Sequence, residues 1–80
     1  MSKKYELIIA LPCPFCINVL NFINENGFDF VTITDTKWDQ SMHDSIQKNY
    51  GKSQVPLLLV NNEPIYESLD IIDFLRSHHL

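Results

Sequence analysis

The chain has 80 residues, 45 % of them apolar, and ten acidic against six basic side chains leave a formal charge of -4, so residues 1–80 are expected to form one small domain around a single core. The acidic balance, with Lys3-Lys4 as a short basic pair, argues against nucleic acid and anionic membrane as partners. No segment approaches the ~20 apolar residues of a membrane span and the start lacks the apolar run of a secretory signal, so a soluble, cytoplasmic protein is expected.

Tyr5 to Ala10 is β-rich and nearly continuous in apolar character after Glu6, as in a central strand covered on both faces. It leads into Cys13-Pro14-Phe15-Cys16. From Pro14 to Asn26, Cys16, Val19, Leu20 and Ile23 recur at helical spacing, Ile17 and Phe22 widen the stripe, and Asn26-Gly27 supplies a stop. The alternating, β-branched run from about Asp29 to Thr34 predicts a second strand. Asp35 or Thr36 can cap a second helix, which runs from Asp39 to Tyr50 with a narrow stripe of Met42, Ile46 and Tyr50 and ends at Gly51.

After the loop Lys52-Ser53-Gln54, Val55-Pro56 opens the run Leu57-Leu58-Leu59-Val60, which is too short for a helix and predicts a buried strand. Asn61-Asn62 fits a two-residue hairpin turn, and Glu63 to Tyr66 is the returning strand, placed at a sheet edge by Pro64. Ser68 is a suitable N-cap for a last helix, Leu69 to His78, with either Leu69, Ile72 and Leu75 or Ile71, Phe74 and Leu75 facing the core. The order βαβαββα implies an α/β sheet covered by helices.

Two cysteines at C-x-x-C spacing in such a chain point to redox or metal chemistry rather than to a structural staple. With Cys13 as helix N-cap, Pro14 takes the first helical position, where its missing N–H is no loss, and Cys16 falls on the same face in the first turn. Only a thiolate attacks a disulfide, and a free cysteine at pKa ~8.5 is mostly protonated at neutral pH. No lysine stands close by in sequence, so the unpaired N–H groups of Phe15 and Cys16 at the helix start are the source of positive potential. Cys13 is accordingly the expected exposed nucleophile and Cys16 the buried resolving thiol. The alternatives are a pair of small core residues and a zinc site completed by His43, His78 or His79; no metal is expected.

The chain resembles the glutaredoxins along nearly its whole length, on Cys13-Pro14-Phe15-Cys16, Gln54-Val55-Pro56 and Glu67-Ser68 in that order. The Glu-Ser pair followed by Leu69-Asp70-Ile71-Ile72 is similar to the glutathione-transferase-like branch, whose helical second domain is not expected in these 80 residues. The resemblance implies a thioredoxin-like fold, a four-stranded mixed sheet with helices on both faces. It also implies a cis Val55-Pro56 bond that leaves the N–H and C=O of Val55 free to pair with an extended substrate. Glu67, Ser68 and Asp70 would receive the γ-glutamyl end of glutathione at a helix start, and Lys48 and Lys52 are candidates for the glycyl carboxylate. Phe15 and Tyr66 would flank the thiol; Trp38 is either packing or contact surface. Where many glutaredoxins carry basic residues around the motif, this chain has Ala10 and Ile17-Asn18, and Ile65-Tyr66 replaces the usual Gly-Gly.

The function so implied is a glutathione-dependent thiol–disulfide oxidoreductase, a monomer with no bound cofactor, acting on disulfide-containing or glutathionylated proteins with glutathione as reducing co-substrate. Two alternatives are an electron carrier reduced by thioredoxin reductase and a module that binds an iron–sulfur cluster between two chains.

Overall fold

A computed structural model describes residues 4–78 and forms β1 (Tyr5–Ile9), α1 (Pro14–Asn26), β2 (Val31–Asp35), α2 (Gln40–Tyr50), β3 (Leu57–Val60), β4 (Glu63–Tyr66) and α3 (Ser68–His78). His79 and the side chain of His78, offered by the sequence as metal ligands, lie outside the described residues. The strands make one mixed sheet in the order β2-β1-β3-β4, with β1 parallel to β2 and antiparallel to β3, and β3 antiparallel to β4. The parallel pair requires a crossover, which is α1, whereas β3 and β4 need only the turn Asn61-Asn62. Both turn residues have positive φ, 52° and 73°, as a two-residue hairpin requires.

Successive strand residues point to opposite faces, and this splits the core in two. Leu7, Ile9 and Leu58 meet Cys16, Val19 and Ile23 of α1 and Ile71 and Leu75 of α3. Ile8, Leu57 and Leu59 face the other way, onto Ile46 of α2, with Tyr50 and Tyr66 around them. The unbroken apolar runs of β1 and β3 result from this, since both strands are internal and covered on both sides. β4 forms the edge, where its Pro64 is tolerated. Among the described residues, no helix is long and apolar enough to cross a membrane.

Several local expectations shift. β2 starts at Val31, not Asp29, because residues 27–30 are still completing the end of α1: Gly27 takes φ 66°, Phe28 N–H donates to Ile23 O (3.1 Å) and Asp29 N–H to Gly27 O (2.9 Å). The cap of α2 is Asp39, whose carboxylate accepts from Met42 N–H at 3.0 Å and from the Ser41 hydroxyl at 2.6 Å. Asp35 and Thr36 instead shape the preceding turn, accepting from the N–H groups of Lys37 (2.9 Å) and Trp38 (3.2 Å). The buried stripe of α2 is His43 and Ile46, one position away from the Met42 expected, and Met42 is exposed. Ile17 is exposed as well, and does not widen the buried stripe of α1.

In α3 the two readings separate cleanly. Ile71 and Leu75 are buried with Phe74 partly so, while Leu69 is 74 % exposed. Ile71→Val is therefore expected to cost about 0.5–1.5 kcal/mol, and Leu69→Ala to change stability by no more than about 0.5 kcal/mol. Urea denaturation of both variants checks this; a larger loss at Leu69 than at Ile71 would contradict the helix register.

Candidate active site

β1 ends at Ile9, buried Ala10 continues it, and Leu11-Pro12 brings the chain to Cys13. Cys13 is extended (φ -154°, ψ 117°) and occupies the N-cap of α1, with Pro14 next and the Cys13 carbonyl accepting from Ile17 N–H at 2.9 Å. Helical geometry places Cys16 one turn on, facing the core. The result is an asymmetric pair of free thiols: Cys13 is partly exposed, and Cys16 is fully buried among the α1, α3 and sheet residues.

Their acidities diverge accordingly. Burial works against a Cys13 thiolate, but the backbone N–H of Cys16, the Cys16 thiol and the backbone N–H of Phe15 outweigh it and hold Cys13 below its ordinary value of 9.0. Burial pushes Cys16 up to about 11; the Ala10 backbone opposes this, while the bond to Cys13, the Cys13 charge and the Asp35 carboxylate add to it. No lysine or arginine contributes to either shift among the described residues. The N–H groups at the start of α1 thus favour the charged form of the sulfur.

A groove of about 700 Å³ opens beside the pair. Phe15 and Asn18 of α1 form one bank; neither Cys13 nor Cys16 lines the groove, and Phe15, two residues after Cys13 in the first turn of α1, is what links the two. The opposite bank is Gln54-Val55-Pro56 with the start of α3, Glu67 to Asp70. Val55-Pro56 is cis, as expected, and Leu11-Pro12 is also cis. The ladders of β3 begin at Leu57, so Val55 lies outside them. Ser68 is the first residue of α3 rather than its cap. Glu67 takes the cap position with φ 72°, its carbonyl accepting from Ile71 N–H at 3.0 Å and its carboxylate from Gln54 Nε2 at 3.0 Å. The N–H groups of the first turn of α3 have no intrahelical partner and border the groove.

Other expected members lie elsewhere. Lys48 is in the last turn of α2, and Lys52 Nζ sits 4.6 Å from the centre of the Tyr66 ring; neither lines the groove. Tyr66 packs on the α2 side of the sheet and donates its hydroxyl to the carbonyls of Tyr50 (3.1 Å) and Lys52 (2.7 Å), so it does not flank the thiol. His43 is committed to the fold: its Nε2 is 2.8 Å from Thr36 Oγ1, and its ring stacks on Trp38 with centroids 5.4 Å apart. Among the described residues no group of three or more His, Cys, Asp or Glu could hold a metal ion.

One supporting feature escaped the sequence. Trp38, held in a left-handed conformation (φ 62°) and backed by His43, donates Nε1–H to Leu11 O at 3.1 Å. Thr36 N–H donates to Ile9 O at 2.8 Å. The β2–α2 turn thereby grips both ends of the segment that delivers Cys13. The signal available was a buried histidine at helical spacing from Ile46, which the Met42 stripe concealed.

The family described as "Glutathione S-transferase, N-terminal domain" matches residues 7–79. N-acetyl-S-hydroxy-L-cysteine reductase of Bacillus subtilis is 32 % identical over 57 residues, 71 % of this chain and 60 % of that protein, so the match spans under two thirds of the relative. Glutaredoxin-1 of Variola virus is 25 % identical over 77 residues, 90 % of this chain and 71 % of the relative. Among solved structures, oxidized glutaredoxin 2 from Chlamydomonas reinhardtii superposes with a TM-score of 0.71 at 20 % identity, over 98 % of this chain and 75 % of that one, a likeness of fold.

Initial rates of iodoacetamide alkylation of the reduced protein, resolved site by site by mass spectrometry, are expected to rise with a midpoint below 9.0 for Cys13 and only towards about 11 for Cys16. A shared midpoint would contradict the asymmetry.

Proposed function

The chain belongs to the thioredoxin-fold family of the glutathione S-transferase N-terminal domain, with glutaredoxins among its relatives, and on that premise we propose that residues 1–80 act as a glutathione-dependent thiol–disulfide oxidoreductase. The observation that carries the reading is the pairing of an accessible Cys13, its pKa held below the ordinary value, with a buried Cys16 pushed up to about 11, near an open groove.

The Cys13 thiolate attacks one sulfur of a protein disulfide or a glutathione mixed disulfide. That S–S bond breaks, the departing thiolate takes up a proton, and Cys13 is left in a mixed disulfide. Cys16 then loses its proton and attacks Cys13, releasing the second substrate thiol and closing the Cys13–Cys16 bond. Its high pKa falls at this point by construction, because the charge of Cys13 and the bond to its thiolate, both of which raise it in the free protein, have been removed. A first glutathione thiolate reopens the bond at Cys13 and a second removes the first as oxidized glutathione, so two thiols supply the two electrons and two protons.

The groove supports this co-substrate in part. The Val55 backbone, outside the strand ladders, can pair with the cysteinyl part as a short strand. The first N–H groups of α3 and the Ser68 hydroxyl can hold the γ-glutamyl carboxylate, with Glu67 or Asp70 for its ammonium. Among the described residues, no lysine lines the groove for the glycyl carboxylate. The proposed setting is the cytoplasm, with the protein a monomer that needs no bound cofactor and meets glutathione and disulfide-bearing or glutathionylated proteins.

A second reading comes from the Bacillus subtilis relative: the sulfur acceptor is a small cysteine sulfenic acid. Cys13 would attack its sulfur, the S–O bond would break with release of water after protonation, and Cys16 would resolve the mixed disulfide as before.

In an assay coupled to glutathione reductase, Cys16→Ser is expected to keep turnover of a glutathione mixed disulfide and to lose reduction of protein disulfides, while Cys13→Ser loses both. Activity surviving in Cys13→Ser would contradict the assignment of the nucleophile. Wild-type protein inert with glutathione but able to reduce a sulfenic acid would select the second reading.

A further inference from the structure

The groove beside Cys13 carries charge of one sign. Among the described residues, its polar lining includes the carboxylates of Glu67 and Asp70 and no lysine or arginine. Glu67 is held there by Gln54. Asp70 belongs to the first turn of α3. A third carboxylate, Asp35, ends β2 on the other side of β1 and adds to the negative potential at the dithiol. Lys52, in the loop before Gln54, holds its Nζ over the Tyr66 ring and does not line the groove. The residues flanking the motif are Ala10, Leu11, Ile17 and Asn18, and the whole chain is at -4.

Next to these carboxylates stand two apolar side chains that the fold leaves in solvent, Phe15 (61 % exposed) on one bank and Leu69 (74 %) on the other. An apolar surface bordered by carboxylates matches the two halves of a long basic side chain, whose methylene stem covers apolar surface while its head stays with the charge. Val55, outside the strand ladders, offers a backbone edge to an extended segment in the same groove.

Resting on the dithiol reading above, we propose that this groove selects protein disulfides whose attacked cysteine lies in an extended segment with lysine or arginine beside it. The stem of the basic residue lies on Phe15 and Leu69 and its head meets Asp70 and Glu67. Cys13 forms the new S–S bond with the segment's cysteine, the original disulfide breaks, and the leaving thiolate takes a proton. Glutathione can place its single ammonium against Glu67 or Asp70 but brings two carboxylates with it, so the acidic wall favours a lysine- or arginine-flanked segment over the reductant.

The test uses two peptide disulfides of the same length, one with lysine and one with glutamate on either side of the cystine, mixed with reduced full-length protein under single-turnover conditions. Each rate constant is divided by that for dithiothreitol on the same peptide, which removes the intrinsic effect of charge on disulfide reactivity. Two partly exposed charge pairs predict a preference of about five- to tenfold for the lysine peptide at low salt. It should collapse towards parity in 1 M salt, where the screening length is ~3 Å, and shrink in both Asp70→Asn and Glu67→Gln. Equal normalised rates, a preference for the glutamate peptide, or a preference that salt and both variants leave unchanged would overturn the proposal. Failure to reduce either peptide would overturn the dithiol reading, and this inference with it.

Discussion

The structure depends on holding the Cys13 sulfur at the start of a helix where, among the described residues, no lysine or arginine contributes to lowering its pKa. A sulfur at the N-cap of α1 faces the unpaired N–H groups of Phe15 and Cys16, and these are the positive ends of aligned peptide dipoles. That arrangement fails if the cap drifts, so the surrounding chain is devoted to fixing it. Ile9 is anchored by Thr36, Leu11 by Trp38, and Trp38 in turn by His43. Pro14 sets the first helical φ, and the burial of Cys16 locks the first turn against the sheet. The same burial makes Cys16 a poor acid, which in the proposed exchange would keep it protonated until Cys13 has reacted.

Much of this was legible in the sequence, for identifiable reasons. α1 runs from Pro14 to Asn26 as expected because both ends carry strong local chemistry, a proline at N1 and a glycine free to take positive φ. The hairpin at Asn61-Asn62 was equally local. What the sequence concealed was set by tertiary partners. Met42 and His43 are adjacent, and the ordinary preference for burying the thioether was overridden because Thr36 and Trp38 satisfy the imidazole. Leu69 looks like a core residue by type, yet α3 turns it towards the groove. Ser68 looks like a cap, yet Glu67, in a conformation unusual for a side-chain-bearing residue, takes that place. Lysines were assigned by charge alone, and no sequence pattern could have shown that Lys52 leans on Tyr66.

The displacements of Glu67, Ser68 and Leu69 all fall on the groove. Relative to the basic surroundings implied by the family resemblance, the wall of this site is acidic and apolar, while the dithiol and the cis Val55-Pro56 element retain their places. In the proposed function, chemistry and recognition therefore separate: the exchange reaction would rest on α1 and discrimination between partners on the start of α3. Membership of the family fixes the first more firmly than the second.

The central claim is that Cys13 and Cys16 form a reversible two-electron couple poised against glutathione. The most direct measurement is equilibration of the protein in buffers of varied reduced and oxidized glutathione, with the thiols trapped by alkylation and the species separated by mass. The account predicts a single transition between dithiol and intramolecular disulfide, about 30 mV for each factor of ten in the equilibrium constant, centred near the glutaredoxin range of roughly -200 to -230 mV. A protein that stays fully reduced, or that accumulates only a stable glutathione adduct on Cys13 with Cys16 still a free thiol, would contradict it.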